Sequence, residues 1–104
     1  MAGLPWIKVH TDLPTHPKAI RLRIELQDEW AWAHVVRLWM WVAQHSGDGR
    51  FEGLGSGVVI EDSAGWKGKP GEFVAACVRC GFLDETSGGY AIHNWEEHAG
   101  AHVA

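Results

Sequence analysis

The stretch "DEWAWAHVVRLWMWVAQHS", Asp28 to Ser46, limits the possible folds of this chain more than any other segment. It contains no glycine or proline, opens on two acids and is followed by Gly47, a pattern that predicts one unbroken helix from about Asp28 to His45. At 100° per residue, Trp32, Val36, Trp39 and Ala43 form one face, flanked by Val35, Met40 and Val42. A face this apolar has to be packed against other elements, so this is the expected core helix. The opposite stripe runs through Trp30, His34, Arg37, Trp41 and Gln44, with two tryptophans where polar residues are expected. Two explanations fit that stripe. Either the N-terminal segment folds over it, or Trp30, His34, Arg37 and Trp41 form an aromatic surface covered by a second copy of the chain or by a partner protein.

A chain of 104 residues, 46% of them hydrophobic, can bury one core without help from a metal. No apolar run approaches the ~20 residues of a membrane span, and "MAGLPWIKVH" lacks a basic start followed by an apolar signal core. Cys77 and Cys80 are the only cysteines, too few for a disulfide framework, and free thiols suit a cytoplasmic protein. The net charge is −4, and the second half is the acidic one: from Glu52 onward only Lys67, Lys69 and Arg79 stand against eight acids. Phosphate binding rests on Lys and Arg, so this balance limits any DNA affinity to a weak one. There is no glycine-rich phosphate loop, nucleophile elbow or kinase-like signature. No catalytic residue and no cofactor is assigned, and the chain reads as a non-enzyme. The seven histidines read as a compositional accident.

The remaining elements follow from local signals. "PWIKVH" suits an extended N-terminal segment. "THPKAIRLRIEL" alternates like a strand, but Thr15 followed by Pro17 is a helix start, and a helix is expected. "GDGRFEG" can carry a short strand at Arg50 to Glu52, and "SGVVIEDSAGW" a short helix. "PGEFVAACVRCG" reads as a helix from Pro70 to Cys80, closed by Gly81. "FLDE", "TSGG" and "YAIH" make a hairpin, and "NWEEHAGAHVA" a short helical or irregular tail. The expected architecture is mainly α with a small β-hairpin, an α+β winged helix-turn-helix with an extra N-terminal helix. It is expected as one domain over 1–104, with an N-terminal extension at 1–14, a core at 15–95 and a tail at 96–104.

One spacing competes with the hairpin. Cys77, Cys80, His93 and His98 fall at C-x2-C-x12-H-x4-H, inside the window of a zinc finger. A finger of that kind needs a helix running into its first histidine, and Ser87-Gly88-Gly89 would interrupt it. The two cysteines read instead as small hydrophobes at the end of a helix, and the stretch as a wing.

"WIKVHTDLPTHPK", "DGRFEG" and "CGFLDETSGGYAIHNWEEH" together resemble the N-terminal winged-helix domain of phage replisome organisers and DnaD-like primosomal proteins. The resemblance runs from Trp6 to His98, and "GGYAIHNWEEH" is its most specific part. It implies a role in assembling a replication complex in the cytoplasm of a bacterial host, through double-stranded DNA, replication or host proteins, or self-association as a homodimer. It also implies that the Pro70 to Cys80 helix is the groove-reading element and the Asp84 to Tyr90 hairpin the wing. The candidate DNA contacts are then Lys67, Lys69, Ala75, Ala76 and Arg79, with Lys18, Arg21 and Arg23 on the first helix as a second set. The exposed stripe of the reading helix, Glu72, Ala75, Ala76 and Arg79, holds one base-capable side chain, and the wing tip offers Asp84 and Glu85. A protein-interaction module of the same fold, without DNA contact, is the competing expectation.

Overall fold

The computed structural model describes residues 4–99, and among them the chain forms five helices and a small three-stranded antiparallel sheet, an α+β arrangement. A turn of 3-10 helix at Leu13–Thr15 leads into α1 (Pro17–Leu26) and α2 (Ala31–His45). Then follow β1 (Arg50–Glu52), α3 (Ser56–Ala64), α4 (Glu72–Cys80), β2 (Leu83–Thr86), β3 (Gly89–Ile92) and α5 (Trp95–Ala99). No helix among the described residues is long and apolar enough to cross a membrane.

Helix α1 settles the strand-or-helix conflict in favour of the helix start. Pro17 sits in its first turn, and the His16 ring accepts the Lys18 backbone N–H at 3.1 Å. The helix stops at Gln27, in the left-handed conformation at φ 51°, with its N–H returned to the last turn. That stop corrects the expected start of α2. The Asp28 carboxylate takes the Trp30 N–H at 2.9 Å, a local turn that competes with helix, and α2 begins only at Ala31.

The buried face of α2 is Ala31, Val35, Leu38, Trp39, Val42 and Ala43, rotated from the expected one toward Leu38 and Val42. Met40, expected beside the core, is half exposed. The rotation has a cause: α2 packs on α1 and α3 through one face, and the N-terminal segment crosses another. The Leu4 N–H donates to the Ala43 carbonyl at 2.7 Å, and Leu4 to Val9 lies over Val36, Met40 and Ala43.

Helix α4 begins at Glu72 rather than Pro70 and ends at Gly81, where the Phe82 N–H reaches the Cys77 carbonyl at 2.8 Å. Gly81 holds φ 87°, a conformation that closes the helix and that side chains rarely adopt. The sheet order is β1-β3-β2. Phe51 pairs with Tyr90 and Leu83 with Ile92, so Phe51, Leu83 and Ile92 point into the core. Phe73, Leu22, Leu38, Ile60 and Leu83 are fully buried in the same cluster, each worth roughly 1.5–3 kcal/mol of burial. Trp95 and Ala99 are buried too, so packing continues to Ala99, beyond the expected core limit at 95. Residues 100–104 of the expected tail and the first three of the N-terminal extension lie outside the described residues.

Candidate interaction surface

Helices α3 and α4 and the β2–β3 hairpin meet on one side of the molecule, and a buried carboxylate fixes their geometry. Glu61 of α3 is 9% exposed. One of its carboxylate oxygens accepts the Gly71 N–H at 2.9 Å and the other the Val74 N–H at 3.1 Å. An acid from one helix thus neutralises the N–H-rich start of the next. The turn between them is held by Trp66, which stacks on Phe73 and donates its indole N–H to the Lys69 carbonyl at 3.1 Å. Lys67 and Lys69 stand exposed on that turn, with no ion pair among the described residues.

One of the expected DNA contacts, Ala76, is corrected. Ala76 is completely buried, because α4 turns Phe73, Ala76 and Cys77 inward together, and only Ala75 of the alanine pair faces solvent. Arg79 is exposed but engaged. It grips Glu25 of α1 through Nε at 2.6 Å and Nη2 at 2.5 Å, while the Cys80 thiol donates to the other Glu25 oxygen at 3.2 Å. The Arg79 hydrogen bond, then that of Cys80, holds the Glu25 carboxyl below its usual range. Burial first, then Glu25, pushes the Cys80 thiol up to about 11, and burial drives Cys77 well above the thiol range. Both cysteines therefore stay protonated near neutrality, the state of buried packing groups.

The four residues of the zinc spacing are used separately. Cys77 is in the core, Cys80 is on Glu25, His93 faces the Asp84 carboxylate at 3.0 Å, and His98 stacks on Trp39 with ring centroids 3.9 Å apart. Among the described residues no three His, Cys, Asp or Glu side chains are placed to share a metal.

The four residues of the tryptophan stripe differ in their surroundings, with Trp30 and Arg37 exposed and His34 and Trp41 half-buried. Trp30 precedes α2 as its cap residue, so helical periodicity does not place it; it is exposed and leans on Trp32. Trp41 is half-buried against the sheet, stacked on Phe51 at 5.9 Å, while the described part of the N-terminal segment lies by Val36, Met40 and Ala43 instead. His34 is structural, its two ring nitrogens facing the Ala64 carbonyl at 2.8 Å and the Asp28 carboxylate at 3.2 Å. The Arg37 guanidinium lies against Gly65 at the end of α3, so close that a side chain there would strike it.

Four of the seven histidines lie close together. His10, His16, His93 and His98 line one cleft of about 350 Å³ with Asp12, Lys18 and Glu97. Its wall is a clasp between the N-terminal segment and α5: the Lys8 N–H donates to the His98 carbonyl at 2.7 Å, and His98 Nδ1 donates to the Lys8 carbonyl at 3.2 Å. Burial lowers the His98 pKa below its ordinary value, and the neutral ring is the one that suits the fold. The unfolded chain takes up this proton near pH ~6.5 and the folded chain only at lower pH, so stability is retained above that pH and lost as pH falls through it. Urea unfolding at pH values stepped downward from neutrality should show a falling midpoint, with a shallower fall in His98→Gln.

Sequence reasoning misses three exposed apolar residues: Leu54, Val58 and Val59. A signal exists, because "VVI" in a short helix can turn only one of its residues to the core, and that residue is Ile60. Val58 lines a groove of about 490 Å³ with Val74, Ala75, Val78, Glu85 and Tyr90, among other residues of α3, α4 and the hairpin. Compared with known proteins, the chain matches no family model, no curated protein and no solved structure.

Proposed function

We propose that the chain is a non-catalytic winged-helix domain of the phage replisome-organiser kind, and that it assembles replication or host proteins in the bacterial cytoplasm. The order α2, β1, α3, α4, β2, β3, with β3 central in the sheet, supports the winged-helix reading. The observation that carries the functional part is the face made by α3, α4 and the hairpin. A groove-reading face requires free cations and polar side chains aimed at bases. Here Ala75, Val78 and Val58 occupy it, Glu72 and Glu85 stand at its edge, and Arg79 is committed to Glu25.

A second, minor reading keeps DNA contact at the α3–α4 turn, because Lys67 and Lys69 are exposed there. Two neutralised phosphates give a slope of about two in log affinity against log salt. Fluorescence anisotropy with a labelled duplex should show weak binding of that slope, removed in the Lys67→Glu, Lys69→Glu double variant. A slope of about five or more that survives in the double variant would place a real DNA interface elsewhere and overturn the protein-assembly reading.

A further inference from the structure

We infer that the groove between α3, α4 and the hairpin is a docking site for an amphipathic helix of a partner protein whose apolar ridge is flanked by lysine or arginine. This inference rests on the protein-assembly reading above and specifies the partner's chemistry.

The floor of the groove is apolar and already shaped. Val74 is buried at its base, Val78 and Tyr90 are half-buried on its sides, and Ala75 is exposed between them. Val58 closes one wall at 73% exposure. An exposed valine beside a floor already apolar extends that floor into one contact surface. A floor of small and β-branched residues between two helices accepts a ridge of side chains spaced i, i+3, i+4 and i+7.

The charges decide what flanks that ridge. Glu61 lines the groove, but both its oxygens are spent on the start of α4. Arg79, the one cation lining the groove among the described residues, is neutralised by Glu25. Glu85 on the hairpin remains in the lining and Glu72, at the start of α4, lies outside it; both are exposed and without an ion-pair partner among the described residues. Glu72 stands beside the exposed Lys69, whose carbonyl accepts its N–H at 3.1 Å, so the uncompensated charge is on the hairpin: an acidic helix would meet like charge at Glu85, whereas a basic one gains complementarity there.

The test is selection of a displayed random peptide library, each member about four helical turns long, on the folded, immobilised protein. Enriched peptides should combine helical apolar spacing with net positive charge. They should bind the Val58→Glu, Ala75→Arg double variant at least about tenfold more weakly, and the Glu72→Lys, Glu85→Lys variant should select acidic peptides instead. All four positions lie at the surface, so both variants are expected to fold, which circular dichroism checks. Enriched peptides that are acidic or neutral, yet still sensitive to Val58→Glu and Ala75→Arg, would overturn the basic partner and leave the protein-assembly reading standing. No enrichment, or enrichment indifferent to both variants, would overturn the docking site. Duplex DNA that competes for the same groove would overturn the assembly reading itself.

Discussion

Gly89→Ala is expected to lower stability by about 3 kcal/mol, while Gly88→Ala, one residue earlier, changes it by less than about 0.5 kcal/mol. The two glycines sit together on the β2–β3 hairpin, so turn propensity alone would treat them alike. The difference lies in what a methyl group meets. At Gly89, which opens β3 opposite Glu52, a Cβ would run into the Phe51 carbonyl oxygen, with the Phe51 carbonyl carbon at 3.1 Å and Glu52 Cα at 3.2 Å. The obstacle is backbone, which cannot swing aside as a side chain would. β1 would have to part from β3, loosening the Gly53–Gly88 hydrogen bond of 2.9 Å and lifting Phe51 from beneath Trp41. At Gly88 nothing lies within 4 Å. Thermal unfolding of the two variants reads the difference directly, as a gap of about 15 °C in melting temperature for a domain of this size. Equal melting temperatures would mean that β1 does not pair with β3 as described.

Glu61→Ala is expected to cost a similar amount, about 3 kcal/mol, and to act on a different part of the molecule. The carboxylate supplies two charge-assisted hydrogen bonds to the start of α4, one of them to the N–H of the buried Val74. Its removal leaves those donors without an acceptor and takes a negative charge from the positive end of the helix dipole. Glu61→Gln keeps the shape and one acceptor oxygen, so about half of the loss should return. Amide hydrogen exchange separates this from general destabilisation: Gly71 and Val74 should exchange faster in Glu61→Ala, while the amides of α2 follow only global unfolding. Unchanged protection at Val74 would show that the cap does not hold the helix.

Elements with strong local signals are legible in the amino-acid sequence alone. The short strand at Arg50–Glu52, the helix over Ser56–Ala64 and the hairpin with its two-residue Ser87-Gly88 turn follow from glycine placement and short-range apolar patterning. Pro17 outweighs the alternating "AIRLRIEL" for the same reason, since a fixed φ in the first turn starts a helix that periodicity alone would not. Faces are harder to read than elements. Ala76 reads as solvent-facing and lies in the core, because the inward direction of α4 is set by Phe73 and Cys77 against α1. The rotation of α2 likewise depends on an N-terminal segment that lies far from it in sequence.

The candidate surface is the least legible part, because long-range polar pairs carry no local pattern. Arg79 looks free in the sequence and is tied to a glutamate 54 residues earlier; Glu61 looks like a surface acid and caps a helix 10 residues on. With Arg79 committed to Glu25, what α4 and the hairpin leave at the groove is alanine, valine, Tyr90 and Glu85, with Glu72 beside it. Side chains of that kind offer few donors to the edges of bases.

Whether this face takes protein rather than DNA bases is tested most directly by titrating isotope-labelled protein with a short duplex and following its amide shifts. At about 50 mM salt, where phosphate contacts are strongest, the expected shifts are small and confined to the turn carrying Lys67 and Lys69. Large, saturating shifts through Ala75, Val78 and Glu85 at one duplex per chain would contradict it.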